Sequence, residues 1–382
     1  MPHFTSPIRT TALAALLAQL ACPGTAAAQS SVTIYGSLDA YVGSQSATGS
    51  SSRRVLNSGF NPNALGFAGS EDLAGGLKAG FVLETQPAVD TGGVGQGGKF
   101  WGRQSLVFLS GDFGRVSLGR IHTAGRSFGI KYSATGWLTT DPFGNLAIAA
   151  GSAFAPVMNI DTVGSRTSNA VLYNSPRLGG LSFSAMQSAG EGGSFGAGSA
   201  KLTQLSAAYA QGGFSADLVY NRIPAVAGSQ LAQTDWAIGA QWALPGVRVL
   251  GAYFQRKGAA VATPGATTAV AGSEGTDHIY VAGVSVPMGA HTLGAAVGRL
   301  DAAAVHRGRR AGNMSAPFSA AVDDITAWSL SWSYTLSKRS QLFLAYGTLN
   351  NGAQGAASVV ADLRPTPGGN SSLLASGIRH SF

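Results

Sequence analysis

Apolar and polar side chains alternate one by one along much of the chain, and this pattern strongly limits what the chain can fold into. The segment Val32–Val42 shows it clearly. One side carries Val32, Ile34, Leu38, Ala40 and Val42, and the other carries Thr33, Tyr35, Ser37, Asp39 and Tyr41. Successive side chains of a strand point to opposite faces, so the segment predicts a β-strand with one apolar and one polar face. No apolar run after residue 28 reaches the roughly 20 residues of a transmembrane helix.

Charged residues are scarce in this chain. They make up 11% of it, whereas soluble globular proteins average about 25%. In a transmembrane barrel, side chains point alternately to lipid and to the lumen, so a segment crosses the bilayer without being apolar throughout. The composition therefore favours an all-β transmembrane barrel over a soluble β-sandwich.

The first 28 residues have the features of a cleaved secretory signal peptide. Arg9 precedes a short apolar run, and Ala26–Ala28 forms an A-x-A cleavage motif. Cys22 could instead be a lipoprotein acylation site, but Gln19 stands three residues before it, where such sites have Leu. We expect cleavage after the alanine motif, which leaves residues 29–382 as one barrel domain without any cysteine.

Short turns and long loops alternate along the expected mature chain. Seven strand pairs follow Val32–Val42, each joined by a short turn, and one strand closes the chain: Ala64–Asp72 with Leu77–Gln86, Trp101–Ser110 with Arg115–Ile121, Arg166–Ser175 with Leu181–Ser188, Lys201–Gln211 with Phe214–Arg222, Thr234–Leu244 with Val247–Lys257, Asp277–Val286 with His291–Leu300, Asp324–Leu336 with Gln341–Thr348, and last Ser372–Phe382. These make sixteen antiparallel strands, each close to the 9–11 residues that a tilted strand needs to span a bilayer. Ring closure is expected, because an open sheet edge in lipid would leave backbone groups unpaired. The Ser-rich segment 44–58 is interpreted as a loop.

The connection between Ile121 and Arg166 differs from the others. It has more than forty residues, no clean period, and prolines at positions 142 and 156. Such a long irregular stretch in a compact domain is normally functional. We expect this third long loop to fold into the lumen and narrow the pore.

Five segments carry a family resemblance. They are SSVTIYGSLDAYVG from Ser30, GSEDLAGGLKAGFVLE from Gly69, FGRVSLGRIHT from Phe113, NAVLYNSPRLGGLSFSA from Asn169, and the ending GIRHSF. In order and spacing they resemble Gram-negative trimeric general porins of the beta-proteobacterial type. The resemblance implies an outer-membrane homotrimer through which small hydrophilic solutes and ions diffuse passively, with no enzymatic step and no cofactor. The terminal Phe382 resembles the signature that the barrel-assembly machinery reads.

The same resemblance assigns the residues of the pore constriction. Arg103, Arg120 and Arg166 correspond to its wall arginines, and Asp141 and Asp161 on the internal loop would supply the facing negative charge. A guanidinium keeps its charge at any relevant pH, and facing rows of opposite sign orient dipolar solutes. The alternative is that these arginines only pair with barrel carboxylates or loop carbonyls.

Strand alternation adds further residues to the lumen, and it raises one conflict. Lys78, Asp39 and Glu84 fall on lumen-facing positions, and Trp137 in the internal loop is a candidate stacking platform for a sugar. Strict alternation, however, places Arg120 on the outward side of its strand with its apolar neighbours. A β-bulge or a trimer interface would explain this.

The charge balance favours anions over nucleic acid as partners. Without the leader the chain has 24 Lys and Arg against 17 Asp and Glu, a net charge of +7. The excess is thinly spread, with one short cluster at His306–Arg310, whereas nucleic-acid binders concentrate charge on one face. In a pore the same excess favours anions. Ala64 and Ala68 stand where the family usually has Arg and Lys, which predicts weak ion discrimination.

Other functions find little support in the sequence. Gly93–Lys99 approaches a phosphate-binding loop, but Phe100 replaces the required Ser or Thr, and a strand follows instead of a helix. The histidines lack metal-ligand spacing, and no serine motif indicates a barrel lipase. A substrate-selective channel remains open as an alternative. So does an adhesin or receptor barrel with a closed lumen and functional loops.

Overall fold

The computed structural model is a closed β-barrel. It describes residues 31–59, 62–136, 139–152, 154, 165–190, 201–225, 231–261, 269–311, 320–359 and 363–382. The signal peptide expected over residues 1–28 lies outside these ranges.

Strands make up most of the described chain. In order they are β1 Ser31–Ala47, β2 Ser50–Asn57, β3 Ala64–Asp72, β4 Lys78–Thr85, β5 Gln104–Gly111, β6 Gly114–His122, β7 Arg166–Asn174, β8 Leu181–Ser188, β9 Leu202–Gln211, β10 Phe214–Ile223, β11 Gln233–Leu244, β12 Val247–Gly258, β13 Ala260–Val261, β14 Gly275–Met288, β15 His291–Asp301, β16 Arg310–Ala311, β17 Ile325–Thr335, β18 Ser340–Asn351 and β19 Asn370–Ser381. Two short helices, α1 Ala124–Lys131 and α2 Pro142–Ala149, lie between β6 and β7. In the described ranges, no helix has the length and apolarity to cross a membrane.

The sheet closes on itself, because β19 pairs antiparallel with β1. The first part of β1 pairs with β3 and the second part with β2, so β2 and β3 share one position in the ring. Counted this way, the described residues form sixteen antiparallel ring positions, and the predicted strand number is confirmed. The small strands β13 and β16 pair with each other outside the ring.

One local prediction is wrong. The segment 44–58 is mainly a hairpin, with β1 running on to Ala47 and β2 starting at Ser50. Gly49 takes a φ of +86° in the turn, a conformation that glycine adopts without steric cost. The serines of this segment show no alternation of apolar and polar side chains, so the sequence does not predict a strand there. The backbone nevertheless pairs between β1 and β2.

The barrel turns its apolar side chains outward. Val42 is 60% exposed, whereas the flanking Tyr41 is 4% exposed. A soluble protein would bury such residues, so this apolar wall fits a lipid environment. Aromatic side chains form contacts near both ends of the wall, as in the Trp236–Tyr253 pair (ring centroids 5.1 Å apart) and the Trp332–Tyr334 pair (6.2 Å). Such clusters are typical of membrane-interface belts.

Candidate pore constriction

The connection between β6 and β7 enters the barrel, as the sequence predicts. Helix α2 contacts the inner side of β14, β15 and β17, and helix α1 contacts β9 and β10. Phe143 and Leu146 of α2 are fully buried. The Phe143 ring lies 4.7 Å from the ring of Phe254 on β12, measured between centroids. Apolar burial therefore holds the loop against one side of the lumen.

Glycines on the inner wall let the loop approach the strands closely. A Cβ atom added at Gly298 of β15 would lie 2.7 Å from Leu146 Cδ1. One added at Gly347 of β18 would lie 2.7 Å from Thr140 Cβ. Side chains at these positions would push the loop toward the centre of the pore.

Charged wall residues hold the end of α1. Asp217 of β10 forms an ion pair with Lys131 and accepts a hydrogen bond from the Tyr132 hydroxyl (2.5 Å). Arg248 of β12 donates to the carbonyl oxygens of Ser133 (2.8 Å) and Lys131 (3.3 Å). These carbonyls end the helix, where a cation is favourable.

Asp141 uses its carboxylate inside the loop. It is the N-cap of α2 and accepts from the Phe143 amide at Oδ1 (2.9 Å). Its Oδ2 accepts from the hydroxyls of Ser133 (2.7 Å) and Thr135 (2.6 Å). Burial raises the pKa of this carboxyl. Its charge also interacts electrostatically with the guanidinium of Arg248. The geometry gives Asp141 a role in shaping the loop.

The three predicted arginines lie together on the wall formed by β4 to β7. Arg103, just before β5, forms an ion pair with Glu84 of β4, and both side chains are almost fully buried. Arg120 donates to the Gly102 carbonyl (2.7 Å) and to Ser168 Oγ (2.9 Å). Arg166 at the start of β7 donates to the side-chain oxygen of Gln96.

A β-bulge resolves the conflict over Arg120. The register between β6 and β7 shifts between Gly119 and Ile121. Arg120 is 7% exposed and Ile121 is 3% exposed, whereas the outward-pointing Leu118 is 49% exposed. A bulge inserts one residue and re-aims a side chain. Arg120 and Ile121 thus both lie away from the lipid-facing wall.

Arg126 belongs to the same cluster, although the sequence reasoning missed it. It lies on α1, in the first turn after the N-cap Thr123. Burial, and then the charge of Arg103, lower the pKa of Arg126 to about 9, so it remains charged at neutral pH. His122 lies within electrostatic reach of Arg126 and of the three predicted arginines. Thr123 is a residue type that is favoured at a helix start, but the sequence does not show which way Arg126 points.

The other predicted residues lie elsewhere. Asp39 is buried, and its Oδ1 accepts from the Gly59 amide (2.8 Å). Lys78 is exposed at the short-turn end and pairs with Asp72 (2.7 Å). Asp161 and Trp137 fall outside the described residues. Within the described part of the chain, no three His, Cys, Asp or Glu residues gather as metal ligands would.

Comparisons with known proteins agree with this architecture. The family model "Gram-negative porin" matches residues 11–354. The outer membrane porin protein 32 of Delftia acidovorans is 41% identical over 172 residues, which cover 43% of this chain and 46% of that protein. The major outer membrane protein P.IB of Neisseria meningitidis serogroup B is 34% identical over 107 residues, 25% of this chain and 30% of that protein. These alignments span less than half of each relative's length.

Solved structures match over nearly the whole chain. The anion-selective porin from Comamonas acidovorans has a TM-score of 0.73 and 25% identity, and the match covers 93% of this chain and 100% of that one. The trimer form of the Vibrio cholerae outer membrane protein OmpT, at 12% identity, shares the fold with a TM-score of 0.62 over 92% of this chain and 99% of that one. The closed sixteen-strand ring, the internal loop and the family match lead to one conclusion: this chain belongs to the Gram-negative porin family.

Proposed function

We propose that the protein forms a water-filled channel through the bacterial outer membrane, for passive diffusion of small hydrophilic solutes and ions with a weak preference for anions. The carrying observation is the group of Arg103, Arg120, Arg126 and Arg166 on the pore side of the barrel. Within this group, Arg103 forms an ion pair with Glu84, and the net charge of the expected mature chain is positive. An excess of fixed positive charge lowers the energy of an anion in the lumen and raises that of a cation.

The expected strength of this preference is modest. Glu84 neutralises part of the charge of Arg103, and the family's usual basic positions are Ala64 and Ala68 here. The name of the similar Comamonas structure describes an anion-selective porin, and the net charge of the expected mature chain has the same sign. The internal loop sets the size limit for solutes, because its helices occupy one side of the lumen.

Assembly and membrane orientation follow from the same proposal. The long loops face the outside and the short turns face the periplasm, as transmembrane barrels usually arrange them. A homotrimer is supported by the family and by the trimer form of the similar OmpT structure. Phe382, half exposed at the seam between β19 and β1, is available to the barrel-assembly machinery.

A reversal-potential measurement in planar bilayers tests the proposal. The refolded protein is inserted between two unequal KCl solutions, and the sign of the zero-current voltage identifies the preferred ion. We expect stepwise openings and a potential that favours chloride. A cation-favouring potential would contradict the charge assignment, and the absence of openings would instead favour a surface-binding barrel with a closed lumen.

A further inference from the structure

A buried histidine joins two of the long loops at the mouth of the barrel. His306 lies in the 302–324 loop, which connects β15 to β17, and its side chain is fully buried. The ring is inserted at the base of the 259–274 loop, which connects β12 to β14. Its Nδ1 lies 2.7 Å from Asp277 Oδ1, and its Nε2 lies 3.0 Å from the Gly258 carbonyl oxygen and 3.0 Å from the Ser273 carbonyl oxygen.

Each ring nitrogen of His306 therefore faces only acceptors. A neutral imidazole has one N–H and one lone pair, so it can satisfy one side of this site but not both. Asp277 also accepts from the Ala303 amide (2.9 Å) and from Arg256 Nη1 (3.4 Å), so its two oxygens face donors on their other sides. The hydrogen bonds are complete when His306 carries a proton on both nitrogens.

In the described part of the chain, few charged groups lie near the ring of His306. Arg256 of β12 and Asp277 of β14 are fully buried beside it, and Arg256 Nη2 also donates to the Ala259 carbonyl (2.5 Å). Glu274 of the 259–274 loop is exposed. In the same loop as His306, the neighbouring Arg307 forms ion pairs with Asp323 and Asp324.

A second contact joins the same two loops. β13 in one loop and β16 in the other pair through Ala260 with Ala311 and Val261 with Arg310. A two-residue ladder is too short to be stable alone. The ladder therefore depends on other contacts between the two loops, and the nearest of these is the buried ring of His306.

We propose that His306 is a proton-operated latch, which fastens residues 303–311 to residues 258–261 and 269–277 when its ring is doubly protonated and releases them when the ring loses a proton. Loss of the proton leaves a lone pair facing a buried acceptor, and an unsatisfied buried polar group is costly. The loop that it releases carries the chain's one basic cluster, including Arg309 and Arg310, at the channel mouth. The latch concerns loop mobility and does not require the proposed ion preference.

Amide hydrogen exchange of the full-length folded protein in detergent tests the latch. Rates are divided by the intrinsic rate at each pH, for peptides covering residues 303–311 and 269–275. Between about pH 6 and about pH 9, we expect protection in both to fall by about tenfold or more. The variant His306→Gln should show low protection that does not change with pH.

The matched control is His380→Gln, which removes a histidine of β19 at the opposite end of the barrel, where His380 Nδ1 lies 2.9 Å from Ser340 Oγ. It should retain the wild-type pH response. Unchanged wild-type protection across the pH range, or a wild-type response in His306→Gln, would overturn the latch. If His306→Gln does not fold, the ¹⁵N spectrum of wild-type histidine decides: a buried ring with two N–H groups at about pH 6 supports the proposal, and a neutral ring there refutes it.

Discussion

At the scale of single residues, the bulge at Arg120 converts an outward position into one on the pore side. The shift between Gly119 and Ile121 places two successive side chains on the same side of the sheet. Without it, a guanidinium would stand in the lipid-facing wall, where an unpaired charge costs several kcal/mol. The position of the bulge therefore decides whether this arginine contributes to the field in the pore.

Replacing Arg120 with Gln should weaken the preference for anions. Removing one unit charge about 5 Å from a passing anion changes its energy by about 0.8 kcal/mol at the dielectric constant of water, or about fourfold in permeability. The measurement is the reversal potential in a KCl gradient. The variant Arg120→Lys retains the positive charge, so it shows whether an effect comes from the lost charge or from a disturbed fold. The matched control is Arg177→Gln, which removes an exposed arginine in a short turn. A potential unchanged in Arg120→Gln would remove Arg120 from the constriction.

Replacing Asp141 with Ala should loosen the internal loop without changing the sign of selectivity. The change removes the N-cap of α2, which is worth about 1 kcal/mol. It also leaves the hydroxyls of Ser133 and Thr135 without their acceptor, at about 1–3 kcal/mol for each group that stays buried and unpaired. We expect larger open-channel current noise and faster amide exchange in residues 142–149. Wild-type noise and exchange in this variant would show that the loop does not depend on Asp141.

At the scale of elements, the internal loop packs closely against the inner wall of the barrel because the wall has glycines at points of contact, such as Gly298 and Gly347. The inward Gly298 faces Leu146 of α2, whereas the outward Gly251 of β12 has open space around it, with its nearest neighbour 3.8 Å from an added Cβ. The same residue type thus answers two different demands. One position has no room for a side chain, and the other faces lipid.

Replacing Gly298 with Val should push α2 into the pore. Overpacking of this kind costs typically about 1–3 kcal/mol, and the flexible loop, rather than the hydrogen-bonded strand, is expected to move. Single-channel conductance and the size limit for neutral sugars should both fall. Gly251→Val is the matched control, since its side chain enters the lipid, and it should conduct like the wild type. Equal conductance in both variants would mean that the loop absorbs the change without moving.

The strands could be predicted from the sequence because their signals are local. Period-two alternation specifies each hairpin within about twenty residues, and all but one of the predicted short turns contain Gly or Pro. The strand β2 escaped prediction because its serines carry no alternation, and Arg126 escaped because its direction depends on how α1 packs on β9 and β10. The resemblance predicts that Asp141 faces the arginines, but it does not reveal that the carboxylate of Asp141 also binds groups within its own loop. Loop side chains take their direction from tertiary contacts, which a strand period does not encode.

At the scale of the whole molecule, the barrel separates two environments by a single layer of sheet. The outer wall is apolar and closes through β1 and β19, where the amide and carbonyl of Gly36 and Phe382 exchange hydrogen bonds of 3.0 Å. On the inner side, helix α2 lies against β14, β15 and β17, whereas Arg103, Arg120 and Arg166 lie on the wall formed by β4 to β7. Only a closed ring of strands can place α2 and these three arginines on facing walls.

The ion preference of such a molecule should depend on salt, because it arises from the summed field of fixed charges. The Debye length is about 30 Å at 0.01 M and about 3 Å at 1 M, so the lumen charges act across the pore in dilute salt and are screened in concentrated salt. Measured at a constant concentration ratio, the chloride-to-potassium permeability ratio should fall toward one as the mean salt concentration rises. Part of the preference should survive, because Arg103 and Arg166 are almost fully buried and salt screens such charges less. A ratio that does not change with salt would indicate tight local anion binding in place of a diffuse field, and so favour a substrate-selective channel.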